Sequence, residues 1–162
     1  MKTLLIMRHA KSSWADKDLP DHERPLNARG KIDAPRMGEL LNAEDLIPEA
    51  ILCSTAKRAK STAKLLVESV PFEGEITTLR DFYHGGPEDF IDALSDLPDE
   101  VDVAMIVGHN PDLEYFLDVL TDASERMPTA AIAYVELPID AWDDLDEDVE
   151  GDLVEIWRPK EV

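Results

Sequence analysis

Two short apolar runs in this chain each end on a histidine: Leu4-Leu5-Ile6-Met7-Arg8-His9-Ala10 and Met105-Ile106-Val107-Gly108-His109-Asn110-Pro111. Histidine, with an ordinary pKa of about 6.5, can act at neutral pH as nucleophile, proton carrier or metal ligand. The neighbouring residues narrow that choice. Arg8 adjoins His9, and Arg58 falls in the first turn of a helix expected to follow a second apolar run, Ala50 to Cys53. Guanidinium forks match phosphoryl oxygens in pairs, and a helix N-terminus adds N–H donors and the positive end of a dipole. Taken singly, each histidine reads as a loop or surface residue and Arg58 as an exposed helix residue. Together they describe a cationic pocket, which attracts an anion and repels a divalent metal.

Such a pocket needs strands that end side by side. Thr3 to Met7, Ala50 to Cys53 and Val101 to Val107 read as buried strands, with a shorter one at Glu75 to Leu79. Helical patterns lie between them. Asn27 can cap a helix to about Asn42, in which Pro35 either makes a kink or marks the true first turn with Asp33 as cap. Ser54 or Thr55 can cap a helix to about Glu68 that turns Ala56, Ala59, Ala63 and Leu66 to one face. Pro87 opens a helix to about Leu97, and Asn110-Pro111 opens another through about Leu120. This alternation predicts an α/β fold with three α/β/α layers and a mostly parallel sheet. Ala131 to Leu137 and Asp152 to Trp157 are expected to add an antiparallel carboxyl-terminal edge. Between them, the stretch from Asp140 to Asp152 holds eight acids and no base and reads as a solvated loop. In open α/β sheets ligands bind outside the carboxyl ends of parallel strands, where both histidines would lie.

Length and composition fit this picture. The 162 residues suit a single domain, 1–162, and 44% hydrophobic with 32% charged residues describes a folded globular chain. The net charge of −20 disfavours nucleic acid as a partner. That charge is polarised: residues 1–67 carry 12 Lys/Arg against 9 Asp/Glu, residues 68–162 carry 4 against 27. Keeping cations in one half of an acidic chain suits local anion binding. The lone Cys53 allows no internal disulfide, and the first residues stop being apolar too soon for a signal peptide or membrane span, so a cytoplasmic monomer is expected.

Arg8-His9-Ala10-Lys11-Ser12 after an amino-terminal strand resembles the Arg-His-Gly signature of the histidine phosphatase superfamily, with the Ala similar to its phosphohistidine phosphatase branch. The segments Arg24-Pro25-Leu26-Asn27-Ala28-Arg29-Gly30, Cys53 through Ala63 with Arg58, and Gly108-His109-Asn110-Pro111 extend the resemblance in order to about residue 120. The resemblance implies cofactor-free and metal-free phosphoryl transfer with His9 as nucleophile. It implies Arg8, Arg58 and His109 as holders of the phosphoryl oxygens, with Arg24 as a further contact. The implied substrate is a phosphohistidine protein, or else a small phosphorylated molecule. Nearby guanidinium groups are expected to keep His9 neutral, and His109 is expected to be protonated when a phosphate dianion is bound.

Other residues leave choices open. Lys11 and Ser12 fit extra phosphate contacts but equally ordinary loop residues, and His22, between acids, reads as a plain surface histidine. Cys53 is expected to be a packed thiol. Asp81 could supply the carboxylic acid that alkyl phosphatases of this family use for the leaving group, and His84 could replace it. Two other classes compete with a phosphatase: a metallohydrolase built on His9, His84 and His109, and a phosphate-binding module without turnover.

Overall fold

A computed structural model describes all of residues 1–162. Strands and helices alternate as β1 (Lys2–Arg8), α1 (Ala28–Ala43), β2 (Ala50–Ser54), α2 (Lys57–Glu68), β3 (Glu75–Leu79), α3 (Pro87–Ser95), β4 (Val103–Gly108) and α4 (Asp112–Thr121), followed by β5 (Ile132–Leu137) and β6 (Asp152–Trp157). The strands form one sheet in the order β3-β2-β4-β1-β5-β6. The first four run parallel, whereas β5 is antiparallel to β1 and β6 to β5. This is the expected mostly parallel sheet with an antiparallel edge.

Alternation along β1 explains the three layers. Leu4 and Ile6 join a cluster of 22 buried residues with Phe90 and Leu94 of α3 and Phe116 and Leu120 of α4. Leu5 and Met7 point the other way into a cluster of 18 with Met37 and Leu41 of α1 and Ala59, Ala63 and Leu66 of α2. With side chains of a strand facing opposite sides in turn, two clusters of similar size mean that the sheet is covered on both faces. No helix is long and apolar enough to cross a membrane.

Helix boundaries show where local signals competed. Asn27 caps α1, its side chain accepting from Gly30 N at 2.9 Å, and Pro35 lies inside the helix rather than at its start. Asp33, the alternative cap, is instead buried and ion-paired to Arg29 at 3.2 Å and Arg36 at 3.5 Å. The N-cap of α2 is Ala56, without a side-chain cap, so neither Ser54 nor Thr55 holds that position. The stretch Asp140 to Asp152 departs from a simple solvated loop. Trp142 and Leu145 are buried in the α3/α4 cluster, and the Trp142 indole donates to Val101 O at 2.7 Å, which anchors the segment while its carboxylates face water.

Two connections fix where the site lies. The chain leaves β1 toward α1 on one face of the sheet and leaves β4 toward α4 on the other. Because β1 and β4 are neighbours, a crevice opens between them at their carboxyl ends. Their register pairs Arg8 with Gly108, so His9 and His109 emerge side by side.

Candidate active site

The two imidazoles lie with ring centroids 5.1 Å apart, and the backbone N–H of His9 donates to Gly108 O at 3.0 Å. His9 Nδ1 is 2.7 Å from Ala10 O. A carbonyl only accepts, so Nδ1 carries the proton and Nε2 keeps its lone pair. That lone pair faces Arg58 Nε at 3.4 Å. The turn after His9 is tied to α2, since Ala10 N donates to Thr62 Oγ1 at 2.9 Å while the Thr62 hydroxyl donates to Arg58 O at 2.7 Å. It is also tied to α1: Asn27 N donates to Lys11 O, and a Cβ on Gly30 would stand 2.3 Å from that same oxygen. Only glycine lets the start of α1 approach the loop this closely.

Arg58 is buried at the head of α2 and has two working edges. On one side Nη1 donates to Asp21 O at 2.7 Å and Nη2 to Asp21 Oδ2 at 2.9 Å. On the other, Nε faces His9 and Nη2 faces His109 Nδ1, each at 3.4 Å. The carboxylate therefore clamps the outer edge and leaves the Nε–Nη2 fork turned into the gap between the histidines. With Nδ1 accepting, His109 donates from Nε2 to Ser54 Oγ at 2.8 Å. The Ser54 hydroxyl oxygen also accepts from Ala56 N at 3.2 Å.

Arg8 and Arg24 complete the cationic wall. Arg8 Nη1 donates to Met127 O at 3.2 Å. Arg24 donates to Ser13 O at 3.1 Å, Asp21 Oδ1 at 3.2 Å and Ser12 Oγ at 2.7 Å, and its guanidinium lies over the Trp14 ring, 3.1 Å from the centroid. With those donors engaged, Arg24 shapes the wall as well as charging it. The four expected residues Arg8, His9, Arg58 and His109, and Arg24 with them, line one cavity of about 320 Å³.

Burial sets the charge states. It lowers the His9 pKa to about 4, aided by Arg58, Arg8 and Arg24 and opposed by the hydrogen bond to Ala10. It lowers His109 to about 3, aided by His9 and Arg58. The guanidinium groups thus contribute to a neutral His9 as expected, but desolvation is the larger cause. At Asp21 burial works upward, yet the hydrogen bonds from Tyr83 and Arg58 and the charges of Arg58 and Arg24 outweigh it and hold the carboxyl at about 2.

The remaining candidates separate cleanly. Lys11, Ser12 and His84 line the cavity, His84 with a left-handed φ of 64° and its ring 4.1 Å from that of Tyr83. Asp81 does not; it borders a different cavity with Asp89, Asp92 and Asp96. His22 is not a plain surface residue, since its Nε2 lies 2.9 Å from Thr55 Oγ1 and its ring meets Tyr83 edge-on at 4.8 Å. Cys53 is fully buried, and burial pushes its thiol up to about 12, so it holds no thiolate. No three His, Cys, Asp or Glu side chains are arranged to hold a metal, so His9, His84 and His109 do not form a ligand set. Sequence reasoning missed Asp21, Ser54, Thr62 and Tyr83, polar side chains whose partners lie 37 to 62 residues away along the chain.

Residues 4–103 match the family model described as the histidine phosphatase superfamily, branch 1. An uncharacterised protein of Mycobacterium tuberculosis is 33% identical over 142 residues, covering 81% of this chain and 87% of its own. Among solved structures, a SixA chain from Nakamurella multipartitia superposes with a TM-score of 0.85 at 22% identity, covering 98% of this chain and 96% of that one. The protein histidine phosphatase SixA complexed with tungstate gives 0.83 at 23%, covering 98% of each chain. An Escherichia coli K-12 structure described as an alpha-ribazole-5'-P phosphatase gives 0.73 at 16%, again covering 98% of each. At these identities the structures establish a shared fold.

Proposed function

Because the chain belongs to the histidine phosphatase superfamily, branch 1, we propose that it is a phosphatase working through a phosphohistidine intermediate on His9, with phosphohistidine in a protein as its substrate. His9 Nε2 attacks phosphorus as the P–N bond to the substrate imidazole breaks, and that imidazole leaves with the bonding pair. Water then attacks the phosphoryl group on His9, releasing orthophosphate and restoring the free ring. The Nε–Nη2 fork of Arg58, with Arg8, His109 and the charge of Arg24, stabilises the transferring group, so the arginines supply the positive charge a metal would otherwise bring. His109 gains a proton when the dianion enters, since the added negative charge opposes the burial that keeps it neutral in the free site.

One observation carries the choice of substrate. The single carboxylate lining the cavity is Asp21, which is ion-paired to Arg58 and Arg24 and held at about 2. It cannot serve as an acid at neutral pH, so the pocket suits a leaving group that needs none, such as a substrate imidazole whose other nitrogen already carries a proton, so that it takes the bonding pair and departs neutral. An exposed rim fits a protein substrate as well, with Trp14 72% exposed beside the cavity. The SixA chain complexed with tungstate, which shares the fold, is described as a protein histidine phosphatase.

The test is parallel turnover of a phosphohistidine protein, phosphoramidate, and aryl and alkyl phosphates. Rates should fall steeply as the leaving group becomes more basic, with alkyl phosphates poorest, and His84→Ala and Asp81→Asn should change phosphohistidine cleavage little. A second reading, a phosphomonoesterase for small molecules, rests on His84 at the cavity wall as proton donor. It wins if alkyl phosphates match aryl ones and His84→Ala removes that activity selectively.

A further inference from the structure

A second, larger cavity of about 670 Å³ adjoins the first and shares Arg8, Lys11 and Thr129 with it. Its other cations are Arg29, Arg126, Arg158 and Lys160, against the carboxylates of Asp33 and Glu161. Residues 68–162 contain only four Lys/Arg among 27 Asp/Glu, and three of those four line this groove. Internal ion pairs absorb only part of the charge. Arg29 is matched by Asp33 at 3.2 Å, and Arg158 by Glu125 at 3.0 Å and Glu161 at 3.7 Å. Arg8, Lys11, Arg126 and Lys160 have no carboxylate within 4.0 Å.

In a chain of net charge −20, four unpaired cations around one concavity that opens onto the phosphoryl pocket call for an anion. Three of the groove's cations come from the half of the chain that is otherwise acidic, which sets the groove apart from its surroundings. We propose that this groove is a subsite for a second anionic group, phosphate or carboxylate, carried by the same substrate molecule whose phosphoryl group enters the first cavity. The proposal rests on reading that first cavity as the phosphoryl pocket. Arg8, on the wall between the two cavities, faces both groups, and Arg126 and Lys160 meet only the second. An acidic side chain beside a phosphohistidine presents this chemistry, as does the second phosphate of a small ester.

The test uses Arg126→Glu/Lys160→Glu, both exposed positions outside the phosphoryl pocket, and orthophosphate and tripolyphosphate as probes in calorimetric titration. The wild type is expected to bind tripolyphosphate about tenfold or more tighter than orthophosphate, an advantage that shrinks with added salt and vanishes in the double variant. Phosphoramidate kcat/KM should stay within about twofold, since a single small group does not reach the groove. Equal binding of the two probes by the wild type, or an advantage that survives the double variant, overturns the subsite. Two substrate pairs then identify the source: phosphohistidine peptides with acidic or neutral flanks, and a small bisphosphate against its monophosphate. The pair whose KM difference the variant abolishes names the substrate class; no difference in either pair also overturns the proposal. If neither phosphoramidate nor phosphohistidine is turned over, the proposed function fails, and the titration still reports on the groove.

Discussion

The carboxylate of Asp21 holds Arg58 from the side turned away from His9, accepting from Nη2 at 2.9 Å while Nε of the same guanidinium faces His9 Nε2 at 3.4 Å. One salt bridge thus sets the direction of the fork that faces His9 and His109. Asp21 also takes the Tyr83 hydroxyl at 2.7 Å and Arg24 at 3.2 Å, so a single carboxylate orients two cations.

Removing that charge should loosen the fork without unfolding the chain, because Asp21 is about half exposed. Asp21→Asn keeps the shape and is expected to raise KM and the inhibition constant of orthophosphate by roughly three- to tenfold, with a smaller effect on kcat. Steady-state kinetics with phosphate inhibition checks this. Unchanged constants would show that burial alone orients Arg58.

Arg58 itself should tolerate no substitute. Arg58→Ala is expected to lower kcat/KM by about a hundredfold or more, and Arg58→Lys to recover only a minor part, because a point charge makes neither the fork nor the clamp to Asp21. Equal activity of the three proteins would place Arg58 outside the reaction.

Both histidines carry folded-state pKa values depressed from 6.5, to about 4 for His9 and about 3 for His109. The unfolded chain therefore binds protons that the folded one refuses, so these groups cost nothing above pH 6.5 and destabilise the fold as pH falls toward 4. Between pH 7 and 5 the loss should be on the order of 1 to 2 kcal/mol for each histidine. Urea unfolding at the two pH values should show a smaller drop for His9→Ala/His109→Ala than for the wild type. Equal drops would mean that neither ring is held neutral.

Much of this architecture was legible in the chain because the relevant signals are local. The apolar runs ending at His9 and His109 predict strands whose ends form a crevice, and Pro87 marks the start of α3. The site's supports were not legible. Asp21 sits in Asp21-His22-Glu23, which reads as surface until a 3-10 turn brings it to Arg58, 37 residues along the chain. Ser54 has the residue type of a helix cap, yet Ala56 takes the cap position, and the Ser54 hydroxyl serves His109 as well as Ala56 N. In the acidic segment, charge masked the two apolar residues that fasten it, Trp142 and Leu145. Each miss is a contact between residues far apart in sequence, which neither spacing nor propensity encodes.

The loop that follows His9 depends on close packing against α1. Gly30→Ala would bring a methyl group to 2.3 Å from Lys11 O, so the backbone of the loop must shift. The expected result is a loss of kcat of about tenfold or more and a stability loss of roughly 1 to 3 kcal/mol. Normal kcat and melting temperature in this variant would show that the loop is not held by that contact.

The covalent role of His9 can be read by trapping the phosphoenzyme in a rapid alkaline quench. Enzyme mixed with 32P-labelled phosphoramidate, quenched within milliseconds in alkaline detergent and digested at alkaline pH, should carry alkali-stable, acid-labile phosphate on the peptide containing His9. His9→Ala should carry none and turn nothing over, while keeping the wild-type circular dichroism and melting curve. Label on another residue, or full activity in His9→Ala, would rule out His9 as the covalent carrier.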